Sequence, residues 1–174
     1  MLSGGNNSIR GNYIAWNGPN HDGHGMDIDL GGDGPSGNQD QHPPGAGPNG
    51  WQPFPEINGF AYLVPPSGGA SSSALIEAHL DEVVGPYQID AYLSGECAST
   101  TGRPHAESYL GSTTAIIPAG QGGVGFMFQV LLPDNATGYL GLTATDQEGN
   151  TSEIGPCFSL DRIFDSGFGM GPEY

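Results

Sequence analysis

The 174-residue chain has no lysine and only three arginines, against 19 acidic residues, so its formal net charge is -16. A polyanion of this kind repels phosphate backbones, which excludes nucleic acid as a partner. The sequence also lacks a basic patch for an anionic membrane surface. It has no run of the roughly 20 apolar residues that a membrane-spanning helix needs. We therefore expect neither nucleic-acid binding nor membrane insertion.

Glycine and proline are abundant instead, with 31 and 15 residues. Both residues destabilise helix interiors, whereas turns between strands use them, so the composition favours an all-β chain. They are concentrated between residues 18 and 55. This concentration separates a short N-terminal segment from a longer region in which turn residues recur at intervals suited to strands.

Apolar residues alternate with polar residues in several runs of the longer region. One run places Ala74, Ile76, Ala78 and Leu80 on one face, as a strand with one buried face requires. Strands are predicted at 60–64, 74–80, 87–93, 108–117, 124–132, 140–144 and 154–160. About seven short strands in about 100 residues are typical of a β-sandwich.

The N-terminal segment has a different pattern, with a period of five residues. Asn7, Asn12 and Asn17 recur at this interval, and Ile9 and Ile14 share the same offset. Short strands with an inward aliphatic residue, each ended by an asparagine, suit a rung of a parallel β-helix. Two such strands cannot bury a solenoid face alone, so we expect further rungs upstream of this chain.

Six motifs together carry a resemblance to a known family. They are Asn7-Ser8-Ile9, residues 25–34, Gln52-Pro53-Phe54-Pro55, and residues 87–92, 109–114 and 143–153. This set resembles the C-terminal end of bacterial right-handed parallel β-helix surface proteins, in which an Ig-like sandwich follows the last rung. The ending at 161–168 resembles a short C-terminal tail of exported proteins in some Gram-negative bacteria.

The resemblance implies four regions and a non-catalytic role. The regions are the end of a right-handed β-helix at 1–34, a Gly/Pro/Asp-rich connector at 35–57, a seven-stranded Ig-like sandwich at 58–160 and a tail at 161–174. The implied function is an extracellular structural or adhesion module, secreted or at the cell surface, although this chain carries no signal peptide. Cell-surface glycans or proteins are the candidate partners, and no residue is assigned a catalytic role.

Two other functions fit the same sequence. The chain could be the C-terminal part of a carbohydrate-active β-helix enzyme, similar to a polysaccharide lyase, whose catalytic rungs lie upstream. It could also be a carbohydrate-binding module, because Trp16, Trp51 and Tyr62 could stack on sugar rings. The competing interpretation of these aromatic residues is packing in the core and the connector.

Two clusters of side-chain oxygens are candidate calcium ligands. They are Asp27, Asp29 and Asp33 in the first cluster and Asp146, Asn150 and Glu153 in the second. Residues 25–30 alternate as a half-buried strand does, which places Asp27 and Asp29 on one face, and calcium prefers such oxygens. We hypothesise that calcium rigidifies the hinge between rung and sandwich. The alternative is a solvated acidic loop and a hairpin turn capped by Asp146.

The two cysteines are Cys97 and Cys157. An even number in an acidic, lysine-free β-protein fits an exported disulfide, and the alternative is a pair of buried thiols in a cytosolic domain. The scattered histidines, including His79 and His105, are expected on the surface.

Overall fold

Seven β-strands form the fold in a computed structural model that describes residues 4–17, 25–38, 47–64, 72–81 and 84–160. The strands are β1 (Glu56–Val64), β2 (Ser72–Leu80), β3 (Gly85–Ser94), β4 (Ser108–Ile117), β5 (Val124–Leu132), β6 (Tyr139–Thr145) and β7 (Phe158–Ser159). A 3₁₀ turn at Pro48–Trp51 is the only other regular element in the described ranges. The prediction of an all-β chain is confirmed. Nowhere in these ranges is there a helix long and apolar enough to span a membrane.

The strands form two antiparallel sheets. One has three strands in the order β1-β2-β5, and the other has four strands in the order β4-β3-β6-β7. Between the sheets lies the main core, to which β2 contributes Ala74, Ile76, Ala78 and Leu80, all 0 % exposed. The alternation predicted for this strand is therefore confirmed. The last strand is shorter than predicted. A strand was expected over the seven residues 154–160, whereas β7 has two residues.

In the four-stranded sheet, the central strands β3 and β6 are buried on both faces, whereas the edge strand β4 has an exposed outer face. The outer face of the central strands is covered by residues 4–17, 25–38 and 47–55, which we call the N-terminal cover. A second apolar cluster lies between the cover and the sheet and contains Ile28, Leu30, Tyr92, Ala106 and Ile154. Alternation cannot reveal this arrangement, because a strand between two layers is buried at consecutive positions.

The strand predicted at 25–30 is wrong. Bends occur at Gly25, Asp27 and Ile28, and the acidic side chains bind backbone groups outside this segment. Asp29 Oδ1 accepts a hydrogen bond from the Gly32 N–H at 2.9 Å, whereas Asp27 is bound to another part of the molecule. The two carboxylates therefore do not share a face.

A β-helix rung is not confirmed for the N-terminal segment. Residues 4–17 contain a single bridge residue, Ile14, which pairs with Ala106 in antiparallel orientation. The side chains of Asn7 and Asn17 instead bond to other residues of the cover, Asn49 and Asp27. The predicted tail at 161–174 lies outside the described residues.

Candidate functional site

The first contact that holds the cover is an ion pair between Arg10 and Asp90. The guanidinium donates from Nε to Asp90 Oδ2 at 2.8 Å and from Nη2 to Oδ1 at 2.9 Å. The Asp90 side chain is 0 % exposed, and the hydroxyl of Tyr109 lies 3.4 Å from its Oδ1. The hydrogen bond to Asp90 raises the pKa of Arg10. This two-pronged geometry is the strongest form of a carboxylate–arginine contact.

The second contact reverses the roles, because the carboxylate belongs to the cover. Asp27 has a fully buried side chain, and its Oδ2 accepts the Ala106 N–H at 2.7 Å. Its Oδ1 lies 2.9 Å from His105 Nδ1 and 2.9 Å from Asn17 Nδ2. His105 is 4 % exposed, so the expectation that it lies on the surface is wrong. A buried carboxylate with three donors loses little by leaving water.

The third contact brings a buried glutamate of the sandwich to the cover. Glu153 is 2 % exposed and accepts the backbone N–H groups of Leu30 at 3.2 Å and Ser36 at 2.9 Å. Arg103 Nη2 donates to the Ser36 carbonyl at 2.6 Å but lies 4.0 Å from Glu153 Oε2. Burial raises the pKa of Glu153 and lowers that of Arg103. The Arg103 guanidinium also lies 4.2 Å above the Phe54 ring, a cation–π contact.

A fourth contact is made of asparagines. Asn49 is 0 % exposed, and its amide accepts the Asn7 N–H at 2.9 Å while donating to the Asn7 and Thr151 carbonyls at 2.9 and 2.8 Å. The Asn6 N–H donates to the side-chain oxygen of Asn150 at 2.7 Å. The start of the cover is thus bonded between the 3₁₀ turn and the loop after β6.

The disulfide predicted for Cys97 and Cys157 is present. It joins the β3–β4 loop, which carries two of the residues that hold the cover, to the chain just before β7. The Cys157 N–H also donates to the Gly102 carbonyl at 3.1 Å. The cross-link therefore supports the loop that presents Arg103 and His105.

A cleft of about 620 Å³ lies beside these contacts, between the cover and the turn after β6. Its walls include Trp51 and Asn38 from the cover, and Asp146 and Glu148 from the turn. Among the described residues that line it, none is basic. Clefts of this size commonly accept small organic ligands.

The six candidate calcium ligands are only partly brought together. Asp146, Asn150 and Glu153 line the cleft, whereas Asp27, Asp29 and Asp33 do not. In the described part of the chain, no three acidic, histidine or cysteine side chains lie close enough to share a metal ion.

The turn that was the alternative to a calcium site is present. Asp146 Oδ1 accepts the N–H groups of Glu148 and Asn150, both at 2.8 Å, and its Oδ2 accepts Asn150 Nδ2 at 2.7 Å. Asp146 thus caps the turn with both of its oxygens. Calcium binding stays a prediction.

The three candidate sugar-stacking residues have different environments. Trp51 lines the cleft. Trp16 is 49 % exposed and lies elsewhere. Tyr62 meets Phe60 edge to face, with ring centroids 5.1 Å apart, as the packing interpretation expects.

The sequence reasoning missed Arg10, Asp90 and Arg103. Their partners are distant in the chain, so spacing gives no hint of the pairs. One signal was available, because the outward face of β3 carries the large aromatic residue Tyr92 beside Asp90. An aromatic residue of this size on a supposedly solvated face indicates a second covering layer.

No protein-family model matches the chain, and no curated protein matches it.

Proposed function

We propose that the chain is a non-catalytic structural and adhesion module of an exported bacterial β-helix surface protein. The observation that carries the proposal is the N-terminal cover, which buried polar contacts hold on β3, on the β3–β4 loop and on the chain after β6. Two of these contacts centre on Asp27 and Asp90, whose side chains are fully buried. A segment held in this way has one orientation on the sandwich. Such a junction suits a spacer that transmits a fixed direction from the preceding part of a surface protein.

The strand order supports the Ig-like part of the proposal. In Ig-type sandwiches the third, sixth and seventh strands share one sheet, and the first, second and fifth share the other. The orders β1-β2-β5 and β4-β3-β6-β7 follow this partition, with the fourth strand placed beside the third.

An extracellular location is supported by the disulfide, since such cross-links persist in oxidising compartments. The surface charge also fits an exposed position, because a net charge far from zero keeps a protein soluble.

Native-state hydrogen exchange tests the rigid junction. The amides of Ile9, Ile14 and Leu30 belong to the cover and donate to acceptors on the sandwich. We expect these amides to exchange as slowly as the amides of β3, because the cover opens only with the sandwich. Exchange at the rate of an unfolded peptide, with β3 still protected, would show a detached cover and contradict the proposed spacer.

We also propose that calcium rigidifies the junction between the cover and the sandwich, and this part of the proposal has its own test. A bound ion must raise the melting temperature by mass action. We expect a higher melting temperature in millimolar calcium than in chelator, and a smaller difference in an Asn150→Ala variant. Equal melting temperatures in the two buffers would remove calcium from the proposal and leave the spacer intact.

The polysaccharide lyase alternative concerns the parent protein and not this chain. The chain itself is expected not to cleave pectin or alginate, and detectable cleavage by the purified protein would overturn the non-catalytic assignment. The complete open reading frame would show whether further Asn-Ile rungs and a basic lyase residue precede residue 1.

A further inference from the structure

The contacts that hold the cover do not fill the cleft beside Trp51. Those contacts bury Asp27, Asp90 and Glu153, and of these only Glu153 reaches the cleft wall. The remaining cleft has room for a ligand of small-oligosaccharide size, since ligand sites commonly measure roughly 300 to 1,000 Å³. The chemistry of its walls indicates which ligand would fit.

The indole of Trp51 forms part of the cleft wall and lies close to two glycines of the cover. A Cβ atom at Gly31 would lie 2.7 Å from Cη2 of the indole, and one at Gly47 would overlap the indole nitrogen. Both glycines have positive φ, at 96° and 100°, where other residues are strained. The cover therefore packs closely against the indole, which is half-buried, also contacts the second apolar cluster and lines the cleft. An indole face suits the apolar C–H face of a sugar ring and also attracts cations.

Carboxylates give the cleft a negative charge. Glu148 is exposed, and its carboxylate makes no hydrogen bond within the described chain. Asp81, which also lines the cleft, has a side chain that is 60 % exposed and lies 2.7 Å from His79 Nε2. With no basic residue in the described walls, a cleft of this kind concentrates cations and repels uronates, sulfates and phosphates.

We infer that the cleft binds an oligosaccharide that carries protonated amino groups, such as an oligomer of glucosamine. Trp51 stacks on a sugar ring, while the carboxylate of Glu148, which is unpaired within the described chain, attracts an ammonium group. The inference deepens the adhesion half of the proposed function and does not depend on the rigid junction. Hydrogen exchange of the cover and ligand binding at the cleft can therefore fail separately.

The experiment uses tryptophan fluorescence, because the chain has only two tryptophans. In a Trp16→Phe variant the signal comes from Trp51 alone. The probe is a glucosamine tetramer at a mildly acidic pH at which the sugar amines are protonated. We expect saturable binding that weakens severalfold in about 1 M sodium chloride, where the Debye length is only about 3 Å.

Two carboxylate variants separate the cleft from the general charge of the protein. Glu148→Gln removes one charge at the cleft and is expected to weaken binding roughly two- to fivefold. Glu77→Gln removes the same charge from the exposed face of β2, outside the cleft walls, and is expected to bind like the parent. Because both positions are exposed, both variants should fold.

The N-acetylated tetramer, an oligogalacturonate and a trilysine peptide are the competing probes. We expect each of them to bind at least about tenfold more weakly than the amine tetramer, and Trp51→Ala to lose binding of the tetramer while retaining a cooperative melt. Equal binding of the neutral tetramer would overturn the role of the amines. Equal binding of the peptide would overturn the glycan assignment, and absence of any binding, or equal effects of the two carboxylate variants, would overturn the site.

Discussion

The two sheets of the sandwich differ in what lies on their outer faces. In the three-stranded sheet, β5 alternates between buried and exposed residues, and Met127 and Leu131 are 64 % and 65 % exposed. In the four-stranded sheet, the last six residues of β3 and of β6 are all buried. The N-terminal cover accounts for the burial of the outer face of β3, because it contacts Asp90 and Tyr92, whereas Ile116 of the edge strand β4 in the same sheet is 62 % exposed.

The comparison shows that a covering layer need not be apolar. The main core between the sheets is built almost entirely of aliphatic and aromatic side chains. The layer under the cover combines a small apolar cluster with buried ionic and amide groups, among them Asp27, Asn49 and Asp90. Such groups add specificity of orientation only while every partner is in place. Single substitutions of polar residues should therefore destabilise the protein more under the cover than on the exposed face of the three-stranded sheet.

Of the substitutions considered, removal of the disulfide should lower the free energy of unfolding most. Cys97 and Cys157 are separated by 60 residues, and on the chain-entropy model the double change to serine costs about 4 kcal/mol of unfolding free energy. We expect the cover amides to lose protection more than those of β2, because the cross-link supports the loop beneath the cover. Urea denaturation and hydrogen exchange measure the two effects. Unchanged stability would mean that hydrogen bonds alone hold that loop.

Asp27→Asn should cost about 2 to 3 kcal/mol. The substituted amide turns a donor toward the Ala106 N–H or toward His105, which leaves a buried polar group without its partner. The matched control is Asp33→Asn, an exposed position in the same segment, which should change stability by less than about 0.5 kcal/mol. Chemical denaturation compares the two variants, and equal effects would argue against a specific role for the buried carboxylate.

Tyr92→Phe should cost about 1 kcal/mol, because the Tyr92 hydroxyl accepts the Gly11 N–H at 3.0 Å. Burial, followed by the negative charge of Asp90, raises the pKa of Tyr92 from 10.0 to about 12. The unfolded chain loses this proton at a lower pH than the folded one, so stability should fall as pH rises from about 10 to about 12.

The Phe variant should lose part of this alkaline decline, which denaturation at neutral and alkaline pH measures. Tyr13→Phe is the control, since Tyr13 is 69 % exposed. If the decline is as steep in Tyr92→Phe as in the parent, another group is responsible for it.

Leu131→Thr should have the smallest effect, below about 0.5 kcal/mol, because the side chain already faces water. Its neighbour Val130 is 2 % exposed, and Val130→Thr should cost roughly 1 to 3 kcal/mol by burying a hydroxyl. Thermal melts of the two variants test whether the outer face of the three-stranded sheet is exposed to water. A large loss for Leu131→Thr would reveal a layer on the three-stranded sheet as well.

The sandwich was predictable from sequence because its signal is local. Each strand with one solvated face repeats every two residues, so Ala74 and Ile76 could be placed inward from their spacing alone. The cover was not predictable, because its contacts join residues that are distant in the chain; Asp27 and His105 are 78 positions apart, and Arg10 and Asp90 are 80 apart. The alternation at 25–30 was misleading for the same reason, because the carboxylate of Asp27 is buried against distant donors instead of facing water.

The candidate site was predictable only in composition. Asp146, Asn150 and Trp51 were singled out for their chemistry, yet the cleft that they share depends on how the cover lies against the turn. Asn7, Asn12 and Asn17 do recur every five residues, but the interpretation of this spacing as a β-helix rung is not confirmed. Asn7 instead bonds to a single buried amide, that of Asn49, and to backbone carbonyls close to it in sequence.

The use of arginine in the cover has a consequence for proteolysis. Trypsin-like enzymes cut after lysine or arginine, and this chain offers only Arg10, Arg103 and Arg162. Arg103 is 7 % exposed and precedes a proline, and the guanidinium of Arg10 is already bound to Asp90. The third arginine belongs to the tail beyond the described residues. The contacts that hold the cover in place therefore also remove two of the three positions at which such a protease could begin to cut the folded protein.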